Sequence, residues 1–225
     1  MVLISLLEFL FPPKCCMCSK ILSSGSRICI CETCATEIDY FSDNVILMDL
    51  PGAAEAYCDG VICVGRYCAS FKKSLKRFKF SNKPSYYRAF GKLLATKLQS
   101  VKKLGEVDII IPVPMHKSRQ RQRGYNQAAL IAGYVARELG IKMESRLLIK
   151  TKETASQSVL GKSERVCNLE GAFAIRNPER IKGKSILLID DIVTTGSTIN
   201  QCSKALKVSG AARIIAGVVA TTRVM

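Results

Sequence analysis

The chain has 225 residues, 48 % of them hydrophobic, which is enough for one ordinary domain with a real core plus a small appendage and excludes a disordered polypeptide. Its 34 basic and 18 acidic residues leave a formal charge of +16, a surplus that favours polyanionic partners such as nucleic acid, anionic lipid or pyrophosphate. Eleven cysteines, an odd number, without a basic-start secretory signal, point to a reducing cytoplasm rather than a disulfide framework.

Residues 1–11 are apolar but fall well short of the ~20 that a bilayer-spanning helix needs, so no membrane span is expected. A short packing helix stopped by Pro12 and Pro13 fits that stretch. Cys15, Cys18, Cys31 and Cys34 then form two Cys-x-x-Cys pairs. Thiolates so spaced can converge on one tetrahedral Zn²⁺, and the metal replaces the core that so short a segment cannot build. Cys16 and Cys29 lie in the same cluster and leave the register open, with Cys29 able to stand in for Cys31. A zinc-ribbon-like module within residues 1–50, followed by a domain over 51–225, is the expected division.

Strands are expected at 45–50 and 60–64, with a break at Pro51 and Gly52. Cys58, Cys63 and Cys68 recur every five residues, which suits small core residues rather than metal ligands. On a helix over 71–80, Phe71, Leu75 and Phe78 share one face, and Lys72, Lys73, Lys76, Arg77 and Lys79 occupy much of the remainder. A solvated face and a track for a single-stranded nucleic-acid backbone both fit, the latter with Tyr86 and Tyr87 available for base stacking. The next helix carries Phe90, Leu93, Leu94, Leu98 and Val101 on its inner side.

Residues 107–113 read as a buried strand ending in Pro-Val-Pro-Met-His-Lys. Ligands of open α/β sheets sit beyond the carboxyl ends of strands, so His116 and Lys117 are placed to meet phosphate oxygens. Arg119, Arg121 and Arg123 follow, with guanidinium forks suited to the same ligand. A helix over about Asn126 to Leu139 turns Ile131, Val135 and Leu139 inward. The polar stretch 151–168 fits either a surface loop or a hood, and 213–221 reads as the last core strand.

Ile186 to Thr198 organises the whole. Four apolar residues suit a strand buried on both faces; Asp190 and Asp191 end it; hydroxyl residues around Gly196 lead into a helix with Ile199, Cys202, Ala205 and Leu206 inward. Amides lacking partners at a helix start can wrap a phosphate, while the two acids suit a sugar diol or hydrated Mg²⁺. The stretch resembles the phosphoribosyl pyrophosphate (PRPP) loop of type I phosphoribosyltransferases at every position. The resemblance implies that Asp190 and Asp191 bind the ribose hydroxyls, and that Thr194, Thr195, Gly196, Ser197 and Thr198 hold the 5′-phosphate. Members that salvage hypoxanthine or guanine carry a carboxylate where this chain has Thr194.

With the double Cys-x-x-Cys, Lys76-Arg-Phe-Lys-Phe, Arg123-Gly-Tyr-Asn-Gln, and Gln157 with Arg165, Asn168 and Phe173, nearly the whole chain resembles the ComF family. That implies an open, mostly parallel α/β sheet flanked by helices, of type I phosphoribosyltransferase-like fold, with an N-terminal zinc finger. It also implies a link to DNA uptake in natural transformation, PRPP with Mg²⁺ as ligand, a mobile hood over 151–168, and a helicase of the uptake system as partner. Three readings stay open: an active enzyme of pentosyl transfer, a PRPP or nucleotide sensor without chemistry, and a DNA-uptake factor contacting single strands. The second and third are compatible.

Overall fold

The computed structural model describes residues 10, 12–23, 29–42, 56–153, 169 and 171–222. The strand expected at 45–50 with its break at 51–52, all of the apolar opening except Leu10, and the hood residues 154–168 lie outside these.

Five strands form one parallel sheet. They are β1 (Gly60–Arg66), β2 (Ile109–Pro112), β3 (Lys142–Met143), β6 (Ser185–Val193) and β7 (Arg213–Thr221), in the order β1-β7-β6-β2-β3. The strands β4 (Leu148–Lys150) and β5 (Phe173–Ile175) pair antiparallel in a separate small sheet. Alternation along each strand divides its apolar residues between two cores. Leu187 and Ile189 of β6 face the first, with Ile62, Ile110 and Ile215; Ile186 and Leu188 face the second, with Ile111, Ile214 and Ala216.

Helices α2 (Ala69–Phe80), α3 (Tyr87–Ser100) and α5 (Gln127–Leu139) cover the first face. Their inner residues are the ones that helical spacing selects: Phe71, Leu75 and Phe78; Phe90, Leu94 and Leu98; Ile131 and Val135. Full burial stabilises each such side chain by about 1.5–3 kcal/mol relative to exposure. The Phe90 ring stands 5.4 Å from Phe78 and 6.0 Å from Phe71. Helices α3 and α5 approach closely at Gly91, where a Cβ would sit 2.6 Å from Tyr134. Helix α6 (Ser197–Val208) covers the second face beside β4 and β5. Cys58 and Cys63 are core residues as expected, but Cys68 is exposed, because it is the N-cap residue of α2 rather than part of a strand.

The cysteine segment with its short helix α1 (Glu32–Thr36) packs onto the first core through Cys15, Cys16, Met17, Cys34 and Ile38. Its continuation covers the edge of β1: Tyr40 bridges Gly65, the Phe41 amide donates to Val64 O at 3.0 Å, and the Arg66 amide donates to Asp39 O at 2.9 Å. Only glycine fits at 65, since a Cβ there would lie 2.6 Å from Asp39 O. Lys97, buried on α3, donates to Phe41 O at 2.6 Å and Ser42 O at 2.5 Å, satisfying an ammonium that burial would otherwise penalise.

Strands β2 and β6 are neighbours whose outgoing connections run opposite ways. After β2 the chain passes through α4 (Lys117–Arg123) and α5 to the edge strand β3; after β6 it passes through α6 to β7. Such a reversal opens a crevice beyond the carboxyl ends of the two strands.

Candidate functional site

A cleft of about 410 Å³ occupies that crevice. All five residues Thr194 to Thr198 line it, together with Asp190, Asp191, His116, Arg119 and Arg123. Gly196, at φ +82°, takes the left-handed conformation that turns the chain from β6 into α6. Beside it, Thr195 Oγ1 lies 2.9 Å from Ser197 Oγ and accepts from the Ser197 amide at 3.4 Å, so this hydroxyl steadies the loop as well as facing the cleft.

The two acids do not end β6, which runs on to Val193. They sit at the point where β2 stops pairing, Pro112 opposite Ile189, while β7 continues alongside. Adjacent strand residues point to opposite faces. Asp191 therefore shares the face of α2, where the Lys79 ammonium meets its Oδ1 at 2.9 Å. Asp190 shares the face of α6, and its Oδ1 accepts from the Asp191 amide at 2.8 Å. Burial, reinforced by the charge of Asp191, pushes the Asp190 carboxyl from 3.8 up to about 7. Burial alone would lower the Lys79 ammonium, but Asp191 and Asp190 outweigh it and hold the group above its ordinary value.

At the end of β2, His116 caps α4. Its Nδ1 accepts from the Ser118 amide at 3.4 Å and lies 2.8 Å from Ser118 Oγ, which in turn bonds Glu153. Helical spacing then separates the arginines: Arg119 and Arg123 line the cleft, whereas Lys117 and Arg121 are exposed and outside its lining. Arg123 Nη1 donates to Gln127 Oε1 at 2.8 Å, and its guanidinium lies 5.2 Å from the centre of the Phe80 ring.

The Arg123-Gly-Tyr-Asn-Gln string is a latch. Asn126 caps α5 by accepting from the Ala129 amide at 3.4 Å and donates to Val113 O at 3.0 Å, fixing the helix to the end of β2. Tyr125 Oη and Gln127 Nε2 both donate to Phe78 O. The carbonyl at the end of α2 is thereby held to α5, and Lys79 follows it into the cleft.

Sequence reasoning placed Lys79 on the outer face of α2 and passed over Lys150. Both line the cleft, as does Lys76. The signal for Lys79 was its step from Phe78, one residue off the buried stripe, but its acid lies over a hundred residues away. Burial, then Arg119, lowers the Lys150 ammonium, whose Nζ lies 5.6 Å from the centre of the Phe173 ring. Lys72 and Lys73 are exposed. Arg77 instead donates to Met17 O at 3.5 Å and Ser19 Oγ at 3.2 Å, so it faces the cysteine segment. Tyr86 and Tyr87 are not free stacking platforms: both pack against the first core, and Tyr87 meets Tyr134 edge-on at 6.3 Å.

The sulfurs of Cys15, Cys18, Cys31 and Cys34 all lie within 4.8 Å of one another. The separation of Cys18 and Cys31, 3.7 Å, matches the about 3.8 Å edge of a tetrahedron with 2.3 Å Zn–S bonds. The set therefore fits a structural zinc. Cys31, and not Cys29, groups its sulfur with the other three, while the Cys29 carbonyl accepts from the Cys16 amide at 2.7 Å. Cys16 itself is buried in the core.

Residues 126–224 match the model of the phosphoribosyl transferase domain. Competence protein F of Haemophilus influenzae is 30 % identical over 204 residues, spanning 88 % of this chain and 87 % of that protein. The chain belongs to the ComF family. DNA utilization protein YhgH of Escherichia coli O6:H1 is 30 % identical over 68 % of each chain. Competence protein ComFC of Bacillus subtilis is 31 % identical over 65 % of this chain and 57 % of its own length. The type I phosphoribosyltransferase-like sheet and the N-terminal cysteine cluster are thus those expected of a ComF protein. No helix among the described residues is long and apolar enough to cross a membrane.

Proposed function

We propose that this ComF protein binds PRPP or a related phosphoribosyl nucleotide in the cleft and acts in DNA uptake in the reducing cytoplasm. The observation that carries the reading is the conjunction, in one crevice at the switch point, of a left-handed glycine loop at a helix start, an acid pair and several cations. The names of the relatives, competence and DNA utilization proteins, support the cellular role. In this reading Thr194 to Thr198 hold the 5′-phosphate, Asp190 and Asp191 the ribose hydroxyls, and Arg119, Arg123 and His116 the pyrophosphate end. Lys117, exposed outside the lining, is left without a ligand role. Calorimetry tests it: Asp190→Ala/Asp191→Ala should weaken PRPP at least about tenfold, and unchanged affinity removes the proposal.

The resemblance also brings Mg²⁺. Mg²⁺ needs ionised oxygens in near-ideal octahedral order. Asp191 already holds an ammonium at 2.9 Å and burial disfavours the charge on Asp190, so the acid pair does not fit the ion. The cysteines do fit zinc, which would hold the module folded and supply no chemistry at the cleft.

Single-stranded DNA contact is assigned to Lys72, Lys73 and Lys76, since Arg77 is engaged with the cysteine segment. Neutralising the three should reduce the log-affinity against log-salt slope by about 2, measured by anisotropy of a labelled oligonucleotide. A second reading, transfer of the phosphoribosyl group to a nitrogen nucleophile, is favoured by Asp190, a carboxyl poised near neutrality. Pyrophosphate release from PRPP with a panel of bases decides it.

A further inference from the structure

The acid pair of the cleft has a built-in cation. Lys79 Nζ stands 2.9 Å from Asp191 Oδ1, with the lysine side chain 24 % and the aspartate side chain 7 % exposed. The ammonium is not a passing surface contact. The residue before it has its carbonyl clamped by Tyr125 and Gln127, and the residue before that is tied to Met17 and Ser19. Moving helix α2 away from the acids would therefore undo both ties.

Lys79 also lies outside residues 126–224, the stretch that matches the phosphoribosyl transferase domain model. Around the acids, the cleft lining gathers Lys76, Lys79, Lys150, Arg119 and Arg123 against three carboxylates. A surplus of positive charge faces an anion before any metal arrives.

We propose that Lys79 takes the place of a divalent cation at this acid pair, bridging Asp191 to a ligand oxygen, so that the cleft binds phosphoribosyl anions without Mg²⁺. This rests on the phosphoribosyl reading above and deepens it. A lysine ammonium has three donors on a four-carbon stem. One can stay on Asp191 while another meets a pyrophosphate or ribose oxygen. A magnesium ion placed at the same carboxylates would instead stand against a fixed positive charge. The cleft is then one in which ligand charge is balanced by helix α2, and intracellular Mg²⁺ does not set its occupancy.

The test is calorimetric titration of the full chain with PRPP. Buffer is freed of divalent ions on a chelating resin, with retained zinc verified, and each titration is repeated with saturating Mg²⁺. Wild-type affinity should differ by less than about threefold between the two. Lys79→Met should lose about a hundredfold without Mg²⁺ and regain most of it with the ion, while Lys79→Arg, which keeps the charge and guards against a fold defect, should stay within about tenfold of wild type without the ion. Wild-type binding that collapses without Mg²⁺, or Lys79→Met binding as well as wild type without it, overturns the inference and leaves the phosphoribosyl reading standing. No PRPP binding by wild type in either buffer overturns both.

Discussion

The cysteine module and the cleft are built on opposite plans. The module draws its four cysteines from a short local span, Cys15 to Cys34, whose sulfurs lie within 4.8 Å of one another. The cleft draws on the end of β2, the end of β6 and the far end of α2, and only the assembled sheet holds these together. One site is local and fits a metal; the other is distributed and depends on the core. The difference teaches where each can fail.

Stripping the module should have the largest effect. Structural Zn²⁺ contributes on the order of 10 kcal/mol to small metal-dependent units. A thiol-competing chelator, or Cys15→Ser/Cys34→Ser, should abolish hydrogen-exchange protection in 12–23 and 29–42 while β6 and β7 amides stay protected. Loss of protection throughout would break the contrast.

The cleft should show its dependence on the core through pH. The Asp190 carboxyl rises from 3.8 in the open chain to about 7 in the fold, so between those values the folded state holds a proton that the unfolded state has released. Its contribution is full below the lower value, falls as pH rises through the window, and is flat above. Asp190→Asn should therefore melt higher than wild type by several degrees above pH ~7, with the gap closing toward pH ~4, read by thermal denaturation across pH. A gap that widens toward acid would reverse the sign and refute the assignment.

Smaller effects sharpen the seam between the two regions. Tyr125→Phe removes one donor from Phe78 O and should cost about 1 kcal/mol in urea denaturation while weakening PRPP several-fold, because Lys79 follows that carbonyl. Arg77→Ala should be the mildest, about 0.5–1 kcal/mol, and should show mainly as faster zinc loss to a chelator.

The same contrast explains what could be read in the chain itself. Spacing alone picked out the cysteine cluster, with Cys31 or Cys29 left open, and apolar runs identified β6, β7 and the inner faces of α2, α3 and α5, because period 2 and period 3.6 are local properties. In the fold it is the sulfur of Cys31, not that of Cys29, that groups with those of Cys15, Cys18 and Cys34. The strand at Asp190 was legible, but not its continuation to Val193, which β7 imposes by pairing. Lys79, Lys150 and the capture of Arg77 were not legible, since each depends on a partner supplied by the tertiary fold. Arg119 and Arg123 line the cleft, while the helix of 3.6 residues per turn that carries them leaves Arg121 exposed.

Residues Arg77, Phe78, Lys79 and Phe80 are successive, yet they address the cysteine segment, the core, Asp191 and Arg123 in turn. One α-helical residue is a rotation of about 100°. Inserting or deleting a single residue in the preceding turn would hand each of these four duties to the wrong neighbour at once. This short run is therefore intolerant of length change even where it tolerates substitution, and the spacing from Phe71 to Lys79 is a better signature of a working copy than the identity of its exposed lysines.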